Sequence, residues 1–164
     1  MPDSEYEAKW DEIALQLGHI VIHWSRIEFY LARTFYGVSG ASEALSNVLV
    51  RRLGASTLEA VLLDLLSGVE ADQAIPIREW VRSVKRARVW RNSALHSVLA
   101  DQKDEGEWHP TKLKFGIDAD GNAEISGERI TPQELRVFKD ELGRLAREHG
   151  KLPELARSGI VSVD

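Results

Sequence analysis

The sequence predicts a mainly α-helical protein, a bundle of four to five helices with a small β-hairpin inserted before the C-terminal helix. Three observations predict it. Apolar residues recur at helical spacing through residues 6–31, and again in a basic segment after residue 76. A short stretch around residue 115 alternates apolar and polar residues, and a well-marked helix start follows it.

Each element has its own signals. Tyr6, Trp10, Ile13, Leu17, Ile20, Trp24, Ile27 and Leu31 recur at steps of four and three, the inward seam of a long helix from about Ser4 to about Gly37. A second helical region spans Ser42 to Leu66. Gly54, followed by Ser56 as the expected N-cap, divides it in two and turns Leu58, Val61, Leu62 and Leu65 inward. The next long helix is expected to open at Pro76, which suits a first helical turn, and to run to about Ala100. DQKDEGEWHP reads as a loop. Leu113, Phe115 and Ile117 then alternate with polar residues, Asp120-Gly121 is a turn dipeptide, and Ala123 and Ile125 begin a return strand. Residues 112–130 are therefore expected to form a β-hairpin. Thr131-Pro132-Gln133-Glu134 is a capping box, and Leu135, Phe138, Leu142 and Leu145 form the inner face of a last helix ending near Gly150. Residues 1–150 are read as one domain and 151–164 as a tail.

Composition narrows the chemistry. The chain has no cysteine, which removes disulfides, thiolate zinc sites and cysteine nucleophiles. No apolar run approaches the roughly 20 residues that span a bilayer, and MPDSEYEAKWDE is acidic and polar rather than a secretory signal, so a cytoplasmic protein without a membrane partner is expected. The net charge is −5, yet Arg78, Arg82, Lys85, Arg86, Arg88 and Arg91 stand against Glu79 alone between residues 77 and 96. That segment carries +5 and leaves −10 on the rest, a local anion site on an acidic body. DADGN lacks the remaining ligands of a calcium loop and reads as turn chemistry. His19 and His23, four apart on the first helix, have no evident third metal ligand, so no metal site is expected.

The basic helix also carries RNSALH, residues 91–96. The seam on this helix runs Ile77, Trp80, Val84, Ala87, then Arg91, then Ala94 and Val98, so an arginine falls on the inward line, where its charge requires a partner or a ligand. Asn92 and His96, four apart, project together with Arg88. Arg91 and His96 differ by roughly 140° around an ideal helix, so they converge only by bordering a cleft, by helix distortion or by meeting copies from a second subunit. Histidine is the side chain whose ordinary pKa suits proton transfer near neutrality, and arginine braces phosphate charge. The competing reading makes Arg91 a structural arginine paired with Glu28 inside the bundle and His96 a satisfied surface or core residue. The five tryptophans read mainly as packing, with Trp90, next to Arg91, the exception.

RNSALH and the basic run before it resemble the HEPN superfamily (higher eukaryotes and prokaryotes nucleotide-binding), whose signature is RNxxxH late in a long helix of a small bundle. WSRIEFYL, with Glu28, is similar to the aromatic, glutamate-bearing opening helix of several branches. The resemblance implies a homodimer whose motif helices face one another across a twofold axis, giving a composite site. It implies RNA as substrate and metal-independent endoribonuclease activity without cofactor, leaving 2′,3′-cyclic phosphate and 5′-hydroxyl ends. His96 would move protons, Arg91 would brace the scissile phosphate, Asn92 would hold the His96 ring or a phosphate oxygen, and Glu28 would orient Arg91. Lys85, Arg88 and Trp90 would contact the RNA. A role as toxin or defence component, with an antitoxin or regulatory partner, belongs to the same implication, as does the alternative of a non-catalytic nucleotide-binding, RNA-binding or dimerisation module. Some members carry a tyrosine two residues after the histidine that a partner enzyme modifies; Val98 stands there in this chain.

Overall fold

The computed structural model describes residues 4–95, 98–104, 107–117 and 123–157. The protein is mainly helical: α1 (Ser4–Ser39), α2 (Glu43–Arg52), α3 (Ala55–Leu65), a 3-10 turn (Leu66–Gly68), α4 (Ala71–Leu95), strands β1 (Val98–Asp104), β2 (Glu107–Ile117) and β3 (Ala123–Arg129), then α5 (Pro132–His149) and α6 (Glu154–Arg157). The β-hairpin expected before the final helices is β2–β3. β1 adds a third antiparallel strand beside β2.

That third strand corrects two expectations. Within the segment read as a loop, residues 101–104 pair with 107–110, Asp101 opposite Pro110 and Lys103 opposite Trp108. Backbone pairing between neighbouring strands leaves no periodicity in so polar a stretch, so the alternation that reveals a half-buried strand is missing. The basic helix likewise stops at Leu95 rather than Ala100, because Val98, Leu99 and Ala100 pair with Leu113, Lys112 and Thr111. Its start is corrected in the other direction. The Glu70 carbonyl accepts from the N–H groups of Gln73 (3.1 Å) and Ala74 (2.8 Å), opening α4 at Ala71, and Pro76 lies inside the helix. A proline this close to the start removes one hydrogen bond of the second turn without ending the helix.

Helix ends follow local chemistry. Ser42 caps α2 by accepting from the Leu45 N–H. The Gly54 carbonyl, not a Ser56 side chain, opens α3 by accepting from Leu58 N at 3.0 Å. At α5 the capping box is complete: Glu134 N–H donates to Thr131 Oγ1 at 3.2 Å, and Thr131 N–H donates back to Glu134 Oε2 at 3.0 Å. α1 runs through Gly37 and ends at Ser39. Gly40, at φ 61°, supplies the left-handed turn beyond it. Gly37 has another role, since a Cβ there would lie 1.7 Å from the Leu155 carbonyl oxygen, so only glycine lets this turn approach the C-terminal segment.

The chain divides into two compact units, and α1, α4 and α5 each contribute to both. The first comprises Met1–Val21 and Val89–Asp140. Its buried residues include Ile13, Ile20, Ala94, Ile130, Leu135 and Phe138. Arg136 joins Glu12 in an ion pair, and Lys112 lies 2.9 Å from Glu128, its register partner across β2 and β3. The second comprises Ile22–Arg88 and Glu141–Asp164. Trp24, Ile27, Leu31, Leu62, Ile77, Val81, Val84, Leu142 and Leu145 are buried there. Trp80 Nε1 donates to the Leu145 carbonyl at 2.9 Å, and the Tyr36 hydroxyl donates to Asn47 Oδ1. Burying a leucine or isoleucine fully stabilises the fold by roughly 1.5–3 kcal/mol each.

Candidate functional site

α4 carries the basic run, and its seam is placed as expected through Ala94: Ile77, Trp80, Val84, Ala87 and Ala94 are buried, with Arg91 half-buried on the same line, whereas Val98, expected to continue the seam, stands in β1. The cations around that seam have different surroundings. Within the second unit, Arg78 donates to the Leu66 carbonyl at 3.3 Å and Arg86 to Ser83 Oγ at 2.9 Å. Arg88 Nε lies 3.0 and 3.1 Å from the two oxygens of Glu59, a carboxylate only 1% exposed. Burying a carboxylate is costly unless it is paired, so Arg88 is what allows Glu59 to sit inside. Lys85 and Arg82 are exposed. On α5 the hydrogen bond from Arg144 holds the Glu141 carboxyl below the usual carboxylate range, and the positive charge of Arg86 adds to this.

Within the first unit, the last turns of α4 place three of the motif-region residues. Trp90 packs on Phe138 with ring centroids 3.9 Å apart and planes tilted by 32°. Arg91 Nη1 donates to Asn92 Oδ1 at 3.0 Å. Arginine has no acceptor, so this contact fixes the carboxamide orientation: its oxygen faces the guanidinium, and its NH₂ group points away as a donor. Asn92 thereby orients Arg91. His96 lies outside the described residues. Glu28 is exposed on α1.

Sequence reasoning missed a second polar cluster, around His149 at the end of α5. Its ring stacks on Tyr30 (centroids 4.4 Å, planes 10° apart), leans on Trp80 at 5.1 Å, and sets Nε2 3.2 Å from Thr34 Oγ1. The Thr34 hydroxyl also donates to the Tyr30 carbonyl at 2.8 Å. Burial, reinforced by the nearby Arg33 charge, pushes the His149 pKa down from 6.5 to about 4. His149 is therefore a neutral packing histidine near neutral pH. A lone histidine near a helix end gives no local sign of this, because its neighbours come from α1 and α4. His23 lies over Gly143, with Cε1 3.7 Å from where a Cβ on that glycine would stand. Among the described residues, no three His, Asp or Glu side chains gather so as to hold a metal ion, and no helix is long and apolar enough to cross a membrane.

The chain matches no known family, no curated protein and no solved structure.

Proposed function

We propose that the protein is a cytoplasmic, metal-independent endoribonuclease acting as a toxin or in defence against foreign genetic elements, with Arg91, Asn92 and His96 as its catalytic residues. The observation that carries this reading is the Arg91–Asn92 hydrogen bond on the last turns of α4, just before His96, on a helix lined with cations. In the proposed reaction the ribose 2′-oxygen attacks the adjacent phosphorus and the bond from phosphorus to the 5′-oxygen breaks. The products are a 2′,3′-cyclic phosphate and a 5′-hydroxyl. His96 accepts the 2′-proton or supplies one to the leaving oxygen. Arg91, oriented by Asn92, faces the charge that grows on the phosphoryl oxygens, and the free NH₂ of Asn92 donates to one of them.

The surroundings of the other cations divide their roles. Lys85, exposed on α4, contacts the RNA backbone as a mobile charge, whereas Arg88 and Trp90, engaged by Glu59 and Phe138, shape the helix that presents the site. Two copies supply one composite site, which removes the angular separation between Arg91 and His96 within a single helix.

Incubation of the purified protein with single-stranded RNA in EDTA tests the reading. Cleavage is expected in the wild type, with cyclic phosphate ends, and is expected to vanish in both Arg91→Ala and His96→Ala. Full activity in His96→Ala, or an inactive wild type on varied RNAs, would sink the enzyme. RNA retained without cleavage would instead return the binding-module reading. Activity lost in EDTA and restored by zinc or manganese would overturn the metal-independent step.

A further inference from the structure

Beyond α5 the backbone of the second unit turns back at once. The N–H groups of Gly150, Lys151 and Leu152 donate to the carbonyls of Arg147 (3.2 Å), Glu148 (2.9 Å) and His149 (3.1 Å). Segment 150–157 then meets the end of α1, where the Leu155 carbonyl occupies the space that a side chain at Gly37 would need. Its anchors are few. Leu152 and Ala156 are its buried side chains, and the bond from Arg157 Nε to the Leu152 carbonyl, at 2.7 Å, lies within the segment itself. So short a segment belongs to the low end of local stability and opens at less cost than the helices it rests on.

The His149 ring lies where this segment, α1 and α4 come together, and it is only 2% exposed. From α1 it meets the Tyr30 ring, the Thr34 hydroxyl and the charge of Arg33; from α4 it meets Trp80, which carries none. The C-terminal segment adds the Ala156 backbone and the charge of Arg157, whose Nη2 also pairs with Glu154 at 3.0 Å. The charges acting on the ring are thus both cations. A second ring proton would place a third positive charge among them in a buried site.

We infer that His149 is the pin of an acid-released clasp: when its ring takes a second proton, segment 150–157 leaves the end of α1 while the helices of the second unit stay formed. Opening the segment admits water to the ring and carries Arg157 away from it. Parting α1 from the rest of the unit would do the same at the cost of uncovering Trp24, Ile27 and Leu31, so the clasp yields first. The direction of the pH effect follows. In the closed form burial and the Arg33 charge outweigh the Ala156 backbone, which favours the charged ring, and the ring's pKa lies at about 4. With the segment open it moves toward the ordinary 6.5, so the open form binds the proton more tightly. The clasp is therefore closed above about pH 6.5, and its opening grows as pH falls toward 4. Complete relief of the ring would raise the opening constant about 50-fold between roughly pH 7 and 4.5; with Tyr30 and Trp80 still beside it, about tenfold is expected. The device lies within the second unit and does not rest on the nuclease reading.

Amide hydrogen exchange of the full chain, followed by NMR and corrected for the intrinsic effect of pH on exchange, tests the clasp. The amides of Leu152 and Ala156, bonded to the His149 and Pro153 carbonyls, are expected to exchange about tenfold faster at about pH 4.5 than at about pH 7, while those of Ile27 and Val81 hold their protection. In His149→Phe the rise is expected to disappear. Gly37→Ala opens the segment by another route, since the new methyl collides with the Leu155 carbonyl. Because coupling is reciprocal, the His149 ring in that variant is expected to titrate closer to 6.5, read from its Cε1–H resonance. A histidine that only packs would not answer to a substitution at Gly37 in this way. Exchange at Leu152 and Ala156 that is flat with pH, the same rise in His149→Phe, a ring titration unmoved by Gly37→Ala, or loss of protection at Ile27 in step with Leu152 overturns the inference. RNA cleavage is read separately, so either proposal can fail alone.

Discussion

Arg88 and Arg91 stand three residues apart in the same basic run, and their surroundings differ. Arg88 reaches across to α3 and spends its Nε on both oxygens of a buried glutamate. Arg91 donates from Nη1 to Asn92, the residue next to it on its own helix, a contact that orients the guanidinium. A run of cations is therefore not one electrostatic surface. Part of it stabilises the interior through a buried carboxylate, and part, Arg82 and Lys85, is exposed on the helix surface.

The comparison breaks first at Glu59. Glu59→Ala leaves Arg88 without its carboxylate partner and is expected to cost about 3–5 kcal/mol of stability, read by urea or thermal unfolding. An effect under 1 kcal/mol would mean that Arg88 is no more structural than Arg91. Arg91→Ala should reverse the pattern, with cleavage falling about 100- to 1000-fold while the melting temperature changes little. The neutral His149 adds a pH-dependent term to the interior. Its folded-state pKa of about 4 lies below the ordinary 6.5, so the unfolded chain binds the extra proton first. Its contribution is intact above about pH 6.5 and is lost as pH falls toward 4, a loss on the order of 3 kcal/mol. Melting temperatures measured across that window should fall less steeply in His149→Phe than in the wild type. The smallest effect is expected at Lys85→Ala, with stability unchanged within about 0.5 kcal/mol and the salt dependence of RNA binding reduced by about one unit of slope.

What could be read in the sequence depended on how local the cause was. The capping box of α5 was legible because Thr131 and Glu134 satisfy one another within a single turn. The seams of α1 and α4 were legible because burial repeats with the helix. The opening of α4 was not, since a Glu70 carbonyl can start a helix without any side-chain signature and Pro76 drew attention to the wrong place. β1 was not legible either, because its partner is a register and not a composition. At the candidate site, RNSALH announced the residue types. That Arg88 belongs to Glu59 follows from α3 folding against α4, and no spacing within α4 encodes it.

The meeting of Thr34 with His149 spans 115 residues, and Gly37 yields its space to Leu155 in the same unit. These contacts tie the end of the first helix to nearly the last described segment, so during synthesis on the ribosome the second unit cannot close while its early helices emerge. Thr34 and Gly37, near the end of α1, gain these partners only after α5 and α6 have left the exit tunnel. Slow closure of this kind is where contacts distant in sequence place their burden.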